Sequence, residues 1–149
     1  MTETHARTLA CLLDRVIPPS PDGRLPGAGA LGLAAHVAEA MRRAPEMELA
    51  ILPGLDAAEA AARARHGRGF SELAPDERQA VCEAIEASHP GLAPTLAFHA
   101  CVGYYQHPRV IAALDLEPRP PHPQGYEMPR NDLTLLEPVR RRGKRYREA

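Results

Sequence analysis

Leu9-Ala-Cys-Leu-Leu-Asp-Arg-Val-Ile-Pro-Pro19 is the stretch whose reading decides the fold. Leu9, Leu12, Leu13, Val16 and Ile17 recur at i, i+3, i+4, i+7 and i+8, one apolar stripe at helical period. Pro18-Pro19 stops the helix, because proline drives the residue before it out of the helical region. The same pattern continues outward. Residues 30–43 read as a second helix with Leu33, Val37 and Met41 on one face. Residues 46–66 read as a third, with a kink or break expected at Pro53-Gly54 and a C-cap at Gly67. Pro75 and the acids Asp76 and Glu77 open a fourth helix, running to about Ala87, with Val81 and Ile85 inward. Phe70 and Leu73 anchor the loop before it. A fifth helix, residues 92–105, places Leu92, Leu96, Ala100 and Tyr104 on one side, and Pro108 starts a short sixth.

Composition agrees with an all-α chain. Of 149 residues, 26 are Ala, and Val, Ile and Thr total only 15, which is poor material for a sheet. Leu, Ile, Val and Phe number 29, just under one fifth of the chain, so the core is thin. A formal charge of -1 argues against disorder by self-repulsion. The length suits one domain. The expected architecture is a single helical domain of five or six helices over residues 1–117. Residues 118–149 follow as an extended, Pro-rich and basic arm without regular structure. Six prolines fall between positions 118 and 138.

Charge is uneven. Residues 1–118 hold 15 acids and 10 Lys or Arg, whereas residues 119–149 hold 4 acids and 8 basic residues. An acidic body thus carries a basic tail. No apolar run approaches the ~20 residues of a membrane span. The start, Met1-Thr-Glu-Thr-His5, shows neither a secretory signal nor a twin-arginine pair. Three cysteines (Cys11, Cys82, Cys101) without Cys-x-x-Cys spacing suit free thiols in a reducing compartment, with buried structural cysteine the default for Cys82 and Cys101.

Several motifs invite a chemical reading. Gly27-Ala-Gly-Ala-Leu-Gly32 matches a dinucleotide fingerprint in letters, but the proline-rich residues before it cannot be the required central strand. Its bland reading is a flexible helix N-terminus. Glu86-x-x-His89 has di-iron spacing, yet such bundles need a second copy of the motif and two further glutamates. A metal-dependent helical enzyme using Glu86 and His89 is retained as an alternative. So is a nucleic-acid binder using the six Lys or Arg of residues 140–147, although no nucleic-acid module accompanies them. Serine lacks a nucleophile elbow at Ser20, Ser71 and Ser88, so nucleophilic catalysis is not expected. Paired aromatics, a helix break and a proline arm combine at Tyr104-Tyr-Gln-His-Pro-Arg-Val110 and Tyr126. Tyrosine and pre-stiffened proline segments are good interface material.

The chain resembles the gluconate 2-dehydrogenase subunit 3 family. The matching stretches are Leu12-Leu-Asp-Arg-Val-Ile-Pro18, then Gly54-Leu-Asp-Ala through Ala64-Arg-His-Gly67, then Phe70-Ser-Glu-Leu-Ala-Pro75 leading into Glu83-Ala-Ile-Glu86. Tyr104-Tyr-Gln-His-Pro-Arg-Val110 and Leu135-Leu-Glu-Pro-Val-Arg140 complete the series. The resemblance implies a non-catalytic helical partner of a large FAD-dependent dehydrogenase that oxidises sugar or sugar-acid alcohols. A cytochrome subunit often belongs to such assemblies. It implies no cofactor, metal or catalytic residue on this chain, no nucleic-acid partner, and a hetero-oligomer. Tyr104, Tyr105, His107, Pro108, Arg109, Tyr126, Leu135 and Leu136 are the expected partner contacts. Many family members carry a twin-arginine signal and help a folded flavoprotein mature and cross a membrane. None is visible here, so a cytoplasmic location is expected unless the chain is exported with its partner.

Overall fold

The computed structural model describes residues 1–117 and 130–143. The chain divides into two compact units, Met1–Pro118 and Arg119–Ala149. Seven α-helices and two 3₁₀ turns make up the described residues, which contain no strand.

In the first unit α1 (Glu3–Val16) is the central helix, packed against α2 (Leu33–Arg43), α3 (Glu46–His66) and α5 (Leu92–Tyr105). The Thr2 hydroxyl caps it by accepting from the His5 amide. Its apolar stripe supplies Leu9, Leu12 and Leu13 to the core. These meet Val37 of α2, Ile51 and Leu55 of α3, and Leu96 of α5 in one buried cluster. The core also holds one polar pair. The Thr8 hydroxyl donates to the Glu59 carboxylate, and Arg63 Nε lies 3.7 Å from that carboxylate.

The second helix begins three residues later than residue 30. Residues 27–32 instead form a turn around the Asp14 carboxylate of α1, which accepts from the amides of Gly29 at 2.7 Å and Ala30 at 3.3 Å. A Cβ at Gly27 would press on Asp14 and on Pro19. A Cβ at Gly29 would run into the Ala10 carbonyl and lie 2.7 Å from Asp14 Oδ2. Of the three glycines that spell a nucleotide fingerprint, Gly27 and Gly29 let the chain pass against α1, and Gly32 takes the left-handed φ of 72° that precedes α2. This loop is held in place, which corrects the reading of a flexible helix N-terminus.

The third helix does not break at Pro53: α3 runs continuously from Glu46 to His66. Proline forfeits the bond to the carbonyl four residues back, at Leu49. Leu49 is 80% exposed, so this turn of α3 lies at the surface. Gly54 explains the neighbouring glycine: a Cβ there would lie 2.8 Å from Leu92 Cδ2, so α3 and α5 approach closely at this point.

Phe70 and Leu73 are buried, as their loop-anchor reading requires. The 3₁₀ turn Phe70–Glu72 leads into α4 (Pro75–Glu86). Glu77 Oε2 accepts from the Ala74 amide at 2.8 Å, and the Arg68 guanidinium grips both Glu77 oxygens at 2.8 and 2.9 Å. The Ala74 amide, then Arg68 and His66, hold the Glu77 carboxyl below its ordinary value of 4.5. A depressed carboxyl stabilises the fold above its unfolded value and loses that contribution as pH falls through the folded one. Glu77→Gln is expected to flatten the fall of Tm between about pH 5 and pH 3. A wild-type slope in the variant over that window would refute this.

Within the described residues 130–143 the reading of an arm without regular structure is corrected. Leu133–Leu136 is a 3₁₀ turn and α7 spans Glu137–Arg140. The Asp132 carboxylate caps the turn by accepting from the Thr134 amide at 3.0 Å. Pro138 stands in the first turn of α7, where its missing N–H costs nothing, so proline density misled the reading.

Candidate functional site

The surface that stands out is the outer face of α5. This helix has 14 residues, none of them Asp, Glu, Lys or Arg. Leu92, Leu96, Ala100, Gly103 and Tyr104 face the core. Pro94, Phe98, Cys101 and Tyr105 fall at i, i+4, i+7 and i+11, a second stripe, and all four are exposed. Phe98 is 64% and Tyr105 60% exposed. A helix apolar all round normally belongs inside something. Packing on α1, α2 and α3 leaves five of the 14 residues of α5 buried.

The end of this helix carries most of the contact residues expected from sequence. Tyr105 stands outside, its ring edge-to-face with Tyr104 at 5.4 Å between centroids. Tyr104 itself is 2% exposed, and its hydroxyl donates to the Pro26 carbonyl at 2.9 Å. Burial pushes that hydroxyl's pKa up. Tyr104 thus ties α5 to the glycine loop and, unlike Tyr105, leaves almost no surface exposed. His107 caps α6 (Pro108–Ala113), its Nδ1 accepting from the Arg109 amide at 3.3 Å, and Pro108 holds the first helical position. The side chains of Pro108 and Arg109 are exposed. Tyr126 lies outside the described residues. In the second unit Leu135 is 74% and Leu136 45% exposed, and Leu133 and Val139 are exposed beside them.

Phe98 and Cys101 escaped the sequence reading, which assigned α5 one inner side and stopped there. The signal was present: a 14-residue amphipathic helix has a polar face, and α5 has none. Cys101 is exposed and so departs from the buried default, whereas Cys82 is buried. Desolvation raises the Cys82 thiol's pKa.

Glu86 is the last residue of α4, and His89 lies in the turn beyond, its Nδ1 2.9 Å from the Ser88 hydroxyl. The two therefore do not share a helical face as a di-iron motif demands. Among the described residues no group of three His, Cys, Asp or Glu is placed to hold a metal ion. No helix among them is long and apolar enough to cross a membrane.

Fold and surface together define a class: a small all-helical domain that leaves exposed the outer face of one helix lacking Asp, Glu, Lys and Arg. The chain belongs to the gluconate 2-dehydrogenase subunit 3 family, whose model matches residues 3–117. It is thus a member of a family of dehydrogenase-complex subunits. No curated protein and no solved structure matches it.

Proposed function

We propose that this chain is the non-catalytic small subunit of an FAD-dependent dehydrogenase acting on sugar or sugar-acid alcohols. The large subunit holds the flavin and carries out substrate oxidation, and this chain stabilises or matures it. One observation carries the reading: α5 is uncharged and leaves Phe98, Cys101 and Tyr105 in water. Contiguous exposed apolar surface on a small domain marks an interaction site. Family membership supplies the kind of assembly. Tyr105, His107, Pro108 and Arg109 extend the contact at one end of α5. Leu135 and Leu136 offer a further apolar contact from the second unit. A cytochrome subunit completes the electron path in this reading, and the complex works in the cytoplasm or at the inner face of the membrane.

Co-expression with the large flavoprotein followed by size exclusion tests the proposal. A single peak carrying both chains and flavin absorbance is expected. The flavoprotein made alone should lose FAD or aggregate. Two separate peaks, with the flavoprotein fully active alone, would overturn it.

A further inference from the structure

Beside the exposed stripe of α5 lies a groove between α1, α4 and α5, with a volume of about 560 Å³. Its floor is the buried Leu12, Ile85, Leu92 and Leu96. Ala93 and Pro94 form its rim on α5 and are exposed. Pro94 also begins the stripe that continues through Phe98, Cys101 and Tyr105, so the groove and the helix face are one continuous apolar surface. The rim is charged elsewhere. Arg15 stands on α1, its Nε donating to Gln79 Oε1 at 2.8 Å. Glu86 stands at the end of α4, exposed and in no ion pair among the described residues.

We infer that this groove receives an apolar row of side chains from the large flavoprotein subunit, with a basic residue of that segment opposite Glu86. The inference rests on the subunit reading above. Three observations favour such an occupant. The volume matches a small-molecule pocket, about 300–1,000 Å³, but such pockets enclose most of their ligand. This groove is only partly enclosed, and at Pro94 it meets the exposed stripe of α5, so a partner's surface could cover both together. The stripe alone is also too small for a stable contact. Phe98 and Tyr105 leave on the order of 100 Å² each in water, against about 800 Å² per partner in a standard interface. The adjoining apolar surface that enlarges it is the groove. Finally, Arg15 and Glu86 both stand on the rim of this apolar trough in no ion pair among the described residues, so a partner that closes it meets them with complementary charges, a cation at Glu86 among them.

The test uses the full chain and the co-expressed flavoprotein. Ala93→Glu puts a carboxylate at the mouth, and Glu86→Arg reverses the rim charge. Both positions are exposed, so the Tm of the free chain should stay within about 2 °C of wild type. Ala93→Glu should raise Kd about 100-fold and Glu86→Arg about 10-fold. Hydrogen exchange of the wild-type complex, which needs no substitution, should show new protection over residues 82–96. If wild type binds while both variants bind equally well and residues 82–96 gain no protection, the groove assignment falls and the subunit reading stands. If wild type does not bind, both fall. A homodimer of this chain that Ala93→Glu dissociates would assign the groove to a second copy and overturn the inference.

Discussion

Phe98→Asp is expected to abolish association with the large subunit at micromolar concentrations, raising Kd by 100-fold or more. Phe98 is the largest wholly apolar side chain of the exposed α5 stripe, and its ring packs edge-to-face on the neighbouring His99 at 5.0 Å. Truncating a central aromatic anchor costs at least about 2 kcal/mol in well-packed interfaces. Replacing it with a carboxylate adds the desolvation of a charge with no partner on this helix. A 100-fold rise corresponds to about 2.7 kcal/mol. The free chain should keep its Tm within about 2 °C, because a side chain in water contributes little to the fold. Phe98→Leu, which keeps an apolar surface, should lose far less. Titration of purified flavoprotein against each variant reads the result. Wild-type affinity in Phe98→Asp would remove α5 from the interface.

Gly29→Ala is expected to produce the largest loss of stability of any single-methyl change in the first unit. The added Cβ collides with the Ala10 carbonyl of α1 and sits 2.7 Å from Asp14 Oδ2. The first obstacle is helix backbone and cannot swing aside as a side-chain tip can. Overpacking costs about 1–3 kcal/mol where neighbours can yield. Here the upper end applies, with a drop in Tm on the order of 10 °C. Damage should spread to α5, because the same loop contributes the Pro26 carbonyl that anchors the Tyr104 hydroxyl. Gly91→Ala is the control. Gly91 has helical backbone angles, and the nearest atom to an added Cβ is Ala50 Cβ at 4.0 Å. That change should be neutral or stabilising by about 0.4–1 kcal/mol. Differential scanning calorimetry compares the two, and a Gly29→Ala transition within 2 °C of wild type would refute the account of the loop.

The candidate site was partly legible in sequence. Tyr105, Pro108 and Arg109 were singled out as contacts, and their side chains are exposed at the junction of α5 and α6. Tyr104 was grouped with them because adjacent tyrosines look alike in sequence, yet successive helical residues point about 100° apart, and only one reaches the surface. Phe98 was missed because a single inward stripe already satisfied the helical period. Glu86 and His89 drew notice as a metal motif, and the end of α4 at Glu86 removes the shared face that chemistry needs.

What the sequence determined by itself was the class of fold. The stripe from Leu9 to Ile17, the proline at the start of α4 and the glycine after α3 are local signals, read by period, capping and backbone preference. Such signals act between residues a turn or two apart and survive without knowledge of neighbours. The tertiary structure alone decided three things. It showed that Gly27 and Gly29 serve close passage over Asp14, that Pro53 leaves α3 unbroken, and that α5 keeps a bare apolar face. Each depends on what lies alongside: α1 beneath the loop, an exposed surface at Leu49, and, among the described residues of the first unit, no helix packed outside Phe98. Apolar periodicity tells which residues avoid water, and only the packing of the helices tells which of them the fold fails to cover.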